Sequence, residues 1–377
     1  MDRRTFVVVA AIVGTFLLVQ VGALALVEPF KSAGFQATEN PSDPTNSLVY
    51  IGGILVATAV MLAAFRYGVD GLIRGLVVFA AGYITFFVFS VLVPPVVSVW
   101  GFNVPAGALS LLVVVGLYVY PEWYVIDVAG VVMGMGAAGL FGISFGVLPA
   151  LLLLTVLAVY DAISVYGTEH MLTLASGVMD LKLPVVLVFP LTLSYSFLDS
   201  DPPASVDSGD EEEGATTAPD GGEASGARRA SSERSSDGGE HGVGTRDGSG
   251  NGEADATADA DATTDADDGP PESAFERDAF FIGLGDAVMP AVLVASAGFF
   301  APGGVDALVS GLALTLPALT AMVGTVLGLL VLMYQVAKGQ AHAGLPLLNG
   351  GAIAGYLGGS LVAGVPVVTA LGLAPYI

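Results

Sequence analysis

Two aspartates sit where carboxylates are costly. Asp161 lies in "LAVYDAISVYGT" and Asp286 in "FIGLGDAVMP", each inside a long apolar run. A charged side chain within such a run is expensive to bury, so it is a functional candidate by default. Two carboxylates in contact do not readily both ionise, and such a pair shares one proton. The ionised member can take a proton from water while the protonated member polarises a carbonyl, with no nucleophilic Ser or Cys and no metal required. The residues around each acid suit wetting. Asp161, Ser164 and Thr168 follow i, i+3, i+7 spacing, one face of a helix. Gly283 and Gly285 remove side chains beside Asp286 and let another backbone or a substrate approach. Pro290 lacks the N–H that would bond the carbonyl of residue 286, so a kink is expected there.

The elements that hold these acids are hydrophobic helices. Mean hydropathy is +0.76 and 54% of the 377 residues are hydrophobic. Apolar stretches of about 20 residues recur, the length that spans a bilayer as a helix. The expected fold is an all-α polytopic membrane protein with about nine spans, near 5–28, 47–65, 72–97, 103–120, 124–147, 148–167, 279–300, 307–335 and 344–372. The first run lacks a small-residue cleavage site after it and reads as a span, not a signal peptide. "LPVVLVFPLTLSYSF", residues 183–197, is apolar but short and carries two prolines, so it reads as interfacial or re-entrant.

Charge divides the chain. The sequence has a net charge of -23, and residues 199–278 hold 23 of its 35 acids but five of its 12 bases. "ADATADADATTDADDGPP" is low-complexity and too polar to offset its chain entropy, so 199–277 reads as a disordered acidic linker. It separates a six-span part, 1–198, from a three-span part, 278–377. No basic patch suggests nucleic acid, and the acid-rich, lysine-poor composition suggests a halophilic source. There is no cysteine, which excludes disulfides and thiolate chemistry.

The positive-inside rule orients the spans. With a cytoplasmic N-terminus, Arg3, Arg4, Arg66, Arg74, Lys182, Arg277 and Lys338 fall inside and Lys31 outside. The linker is then cytoplasmic and the C-terminus outside the cell membrane. Asp161 stands six residues before the sixth span's end, and Asp286 seven after the seventh span's start. At about 1.5 Å per residue, both lie roughly 9–10 Å below the same face, where antiparallel neighbours bring them together.

Tyr160–Asp161, Gly283–Leu284–Gly285–Asp286 and the long polar segment between them resemble the presenilin and signal peptide peptidase type of intramembrane aspartyl protease, in its archaeal presenilin-like branch. The resemblance implies nine helices with the two acids on the sixth and seventh, working as the pair does in aspartic proteases. It implies a third motif, Pro-Ala-Leu, at the start of the ninth helix. The positional match is Pro346, Leu347 and Leu348 in "GLPLLNGGA", with Leu347 in the alanine's place. The literal Pro317–Ala318–Leu319 falls inside the eighth span and reads as a decoy. By resemblance, residues 346–348 border the acids and help seat substrate, and the piece around 183–197 packs near the site or pairs with an extended substrate strand. The implied partners are transmembrane segments of membrane proteins within the lipid bilayer, with no cofactor.

Rival readings weigh less. Carboxylate pairs also carry protons or sodium ions in transporters, but no internal repeat relates 5–167 to 279–372. The prepilin-peptidase type of GxGD protease expects a lysine where Val288 stands. "GGSL" at 358–361 lacks a paired histidine for serine chemistry. Glu169, His170 and His342 form no HExxH, which argues against a metal. Tyr160 reads mainly as a packing residue that could orient an acid. Gly350, Gly351, Gly355, Gly358 and Gly359 read as a helix-packing face. Asp127, Asp180 and Asp306 read as solvated acids at span ends or in loops.

Overall fold

The computed structural model describes residues 3–167, 186–192, 195–196, 279–301, 305–336, 338 and 343–377. The linker expected at 199–277 lies outside them. In chain order the elements are α1 (Arg3–Ser32), α2 (Thr45–Arg66), α3 (Asp70–Leu92), β1 (Ser98–Val99), β2 (Phe102–Asn103), α4 (Val104–Val119), α5 (Trp123–Ser144) and α6 (Val147–Gly167). Then come β3 (Val186–Pro190), β4 (Ala279–Gly283), α7 (Leu284–Phe299), α8 (Leu316–Val336), α9 (Gly344–Val362) and the four-residue α10 (Val367–Ala370).

The mostly helical, multi-pass architecture matches the expected fold class, and several of the expected span boundaries shift. Among the described residues seven helices are long and apolar enough to cross a membrane, while α4 and α7 have 16 residues each. The apolar run at 279–300 is not all helix, because its first five residues form β4. The eighth helix starts at Leu316, not 307. Residues before it turn back on themselves: Gly311 takes φ +82°, Val309 bridges to Leu312, and the Leu308 N–H donates to the Leu314 carbonyl at 2.7 Å. The ninth helix ends at Val362, not 372, because Gly364 adopts φ +77° and Pro366 has no N–H to continue it. Pro94 and Pro95 likewise stop α3 at Leu92.

Sequence explains the other boundaries. Asn103 caps α4 by accepting the Ala106 N–H at 3.2 Å, with Pro105 in the first turn. The Thr45 N–H donates to Asp43 at 2.9 Å before α2, which holds that exposed carboxyl below the usual range. The α5–α6 corner is tied down by the Ala37 N–H and Thr38 hydroxyl, which donate to Ser144 at 3.0 and 2.6 Å.

Helix α5 is the hub. Of its span 56% is buried, against 6% for α2. Its glycines make this possible by letting neighbours approach closely. Gly134 faces Val19 of α1, Gly139 faces Phe30 and the Ala23 carbonyl, and Gly142 faces Ala295 of α7. Helices α8 and α9 use the same device. Gly324 and Gly351 each meet the other's carbonyl, Gly328 meets the Leu347 carbonyl, and Gly355 and Gly359 meet Thr320. Gly350 and Gly358 face open space and take no part in this contact.

Candidate active site

Strands β3 and β4 pair antiparallel, with Val186 opposite Gly283 and Pro190 opposite Ala279. A strand among apolar helices must pair its backbone groups, and this hairpin does so within the chain. Residues 186–190, expected as interfacial or re-entrant, are therefore one arm of a buried hairpin. The other arm, β4, runs without interruption into α7. Gly283 is the residue before that helix, and Asp286 stands in its first turn.

Helix α6 brings Asp161 in from the other side. Its side chain is 7% exposed, and its Oδ2 accepts the Leu345 N–H at 3.0 Å. Leu345 is the second residue of α9, and first-turn N–H groups have no acceptor within their own helix. The residue before it lies beside the other acid. A Cβ on Gly344 would lie 3.4 Å from Asp286 Oδ2 and 3.5 Å from Leu332 Cδ2. Gly283 brackets the same oxygen, its own Cβ position also 3.4 Å away. Consecutive residues at the start of α9 thus adjoin the two acids, Leu345 bonding Asp161 and Gly344 lying beside Asp286.

The remaining expected residues fall in different places. Leu284 is buried, its Cδ1 seated over Gly134 and Gly130 of α5 at 3.4 and 3.7 Å from their Cβ positions. Gly285 is exposed, with nothing within 4 Å of its Cβ position. Tyr160 is 50% exposed on α6, about 100° around the helix from Asp161. Pro346 is half-buried in the first turn of α9. Leu347 packs on α8 and lines an apolar groove with Leu327 and Val331. Leu348 is fully buried in the same hydrophobic core as Leu329 and Leu332.

Pro317–Ala318–Leu319 falls inside the eighth span as expected, in the first turn of α8. It is at the wrong end. Leu332, which neighbours Gly344, is 15 residues further along, about 22 Å at 1.5 Å per residue. Ser360 donates to the Tyr356 carbonyl at 2.8 Å, a bond within its own helix. Asp306 lies in the exposed segment before α8. Thr168, Glu169, His170, Asp180 and His342 lie outside the described residues. Among the described residues, no three His, Cys, Asp or Glu side chains gather in one place.

Three polar residues were not singled out by sequence, or were misread. Asp127 is not a solvated span-end acid. Its Oδ1 accepts the Val188 N–H at 2.7 Å, and the signal was its place five residues into an apolar helix. Asn349 is fully buried in "LPLLNGG" and donates to the Leu154 carbonyl of α6 at 3.0 Å, two turns from Asp161. Gln20 is fully buried in α1, and neither atom of its amide has a hydrogen-bond partner.

Comparison with known proteins places this arrangement in context. Residues 13–365 match the family described as signal-peptide peptidase, presenilin aspartyl protease. Two solved structures are similar across nearly the whole chain. One, described as a presenilin family intramembrane aspartate protease in the C222 space group, is 30% identical, has a TM-score of 0.56, and aligns over 94% of this chain and 99% of its own. The other, the same kind of protease in the P2 space group, is 29% identical, has a TM-score of 0.53, and aligns over 93% and 97%. Among curated proteins, none matches the chain.

Proposed function

Given that the chain belongs to the presenilin and signal peptide peptidase family, and is an intramembrane aspartic protease, we propose that Asp161 and Asp286 are its catalytic pair. The observation that carries this reading is the convergence of both carboxylates on Gly344 and Leu345 at the start of α9. One proton is shared between them. The ionised acid removes a proton from water as the oxygen attacks the scissile carbonyl, and the protonated acid donates to that carbonyl oxygen. The tetrahedral diol then collapses: the leaving nitrogen takes the proton from the acid that holds one as the C–N bond breaks, and the other acid takes a diol hydroxyl proton, which restores the one-proton pair.

The substrates are transmembrane segments of other membrane proteins. A helix in lipid hides its amides in its own hydrogen bonds, so the segment must unwind before attack. The β3–β4 hairpin ends three residues before Asp286, and an extended substrate lies along it. Gly283 and Gly344 keep the approach to Asp286 free of side chains. Pro346, Leu347 and Leu348 shape the α9 start that both acids adjoin. The N-terminus and acidic linker face the cytoplasm, and the C-terminus lies outside the cell membrane.

Cleavage of a labelled transmembrane peptide by purified protein in liposomes tests the reading. Wild type cuts, and Asp161→Asn and Asp286→Asn do not. Full cleavage by either folded variant overturns the pair.

A further inference from the structure

The hairpin beneath Asp286 is held by α5 through a second set of acids. The Val188 N–H donates to Asp127 Oδ1 at 2.7 Å, and the Ser196 hydroxyl donates to Glu122 Oε1 at 2.7 Å. Glu122 is the residue before α5 and Asp127 lies in its second turn. One helix end therefore grips the segment after α6 at two points, eight residues apart. That segment follows the helix of Asp161 and pairs with the strand that leads into the helix of Asp286.

Strand geometry explains why an acid is needed. In an antiparallel ladder successive residues point their N–H groups alternately toward and away from the partner strand. The Val188 N–H points away from β4, to α5, and Val188 itself is buried. Water is scarce there, so without an acceptor that N–H is left unpaired at high cost. Asp127 supplies the acceptor. Gly130 and Gly134 continue the same face of α5 at i+3 and i+7. Leu187 of β3 packs on Gly130, its Cδ2 2.9 Å from the Cβ position, and Leu284 packs on both glycines. Leu284 is two residues before Asp286. Side chains of one α5 face thus fix β3, the start of α7, and through it the height of Asp286.

We infer that Asp127, aided by Glu122, is a positioning residue for the protease: it pins β3 to α5 and so sets where Asp286 meets Asp161. The inference rests on the proposed catalytic pair. What it requires of Asp127 is an acceptor oxygen, not a charge or a proton.

The test uses the full chain in liposomes with Asp127→Ala and Asp127→Asn. Asp127→Ala lowers kcat for a transmembrane peptide at least tenfold with KM within threefold of wild type. Asp127→Asn keeps an acceptor oxygen and stays within threefold of wild type in both. Equal kcat for Asp127→Ala and wild type, or equal damage from both substitutions, overturns the inference. Amide hydrogen exchange at Val188 supplies a readout independent of proteolysis. Exchange speeds at least tenfold in Asp127→Ala and is unchanged in Asp127→Asn; unchanged exchange in a folded Asp127→Ala overturns the contact even if no variant or wild type cuts the peptide. Should Asp127→Ala not fold, Asp127→Asn carries the test, and loss of Val188 protection there overturns it.

Discussion

Asp161 and Asp127 make nearly the same contact. Each accepts a backbone N–H from a segment far away in sequence, Leu345 at 3.0 Å and Val188 at 2.7 Å. Their surroundings differ. Asp161 bonds a helix start whose Gly344 lies beside Asp286. Asp127 has a strand edge and a glycine face packed by leucines. A hydrogen bond to a backbone amide is therefore no mark of catalysis in this membrane protein. Under the proposed function, the second carboxylate beside the same helix start separates the two roles.

The amide substitution should split the two acids most widely. Asp161→Asn or Asp286→Asn removes the proton exchange and lowers cleavage by at least about 10³-fold, the middle of the range for general acid–base groups. Circular dichroism and size-exclusion profiles should match wild type. The same change at Asp127 should cost less than threefold, because its oxygen remains. A large loss there would erase the distinction between the pairs.

The pH profile sharpens the comparison. A pair that works with one shared proton loses activity at high pH, when that proton leaves, and at low pH, when both acids hold one. A bell-shaped kcat against pH is expected for wild type. Asp127→Asn should keep the same two limbs, since it carries no proton in the reaction. A flat profile through alkaline pH would contradict the shared proton.

Smaller effects are expected where packing alone is at stake. A Cβ at Gly328 would strike the Leu347 carbonyl. Gly328→Val should destabilise the fold by about 1–3 kcal/mol through the shifted α8–α9 contact, read as a lower Tm. Activity per folded molecule should fall too, because Leu347 belongs to the helix start that adjoins both acids. Gln20→Leu should change stability least, within about 1 kcal/mol and toward greater stability, since it removes a buried amide without a partner and keeps the bulk.

Much of this design is legible in sequence. The apolar runs that carry Asp161 and Asp286 are long, and intramembrane acids stand out against them. The hairpin is not legible. "VLVFP" and "AFFIG" are short apolar runs that fit a strand or a piece of helix equally, and their pairing spans nearly 90 residues. Missing the hairpin also hid Asp127, which reads as a solvated acid until a strand is placed beside it. Apolar residues 307–315 look like helix because hydropathy does not register the turn at Gly311. The close α8–α9 contact was only half visible. The glycines of α9 are obvious, while Gly324, Gly328 and Thr320 opposite them matter only once the register is known.

The central claim is that two carboxylates meeting at the start of α9 hydrolyse a peptide bond in the membrane. The most direct measurement is cleavage of one labelled transmembrane peptide in liposomes by wild type, Asp161→Asn and Asp286→Asn, each shown to be folded. The account predicts defined fragments from wild type and none from either variant. Fragments from either variant at the wild-type rate would contradict it.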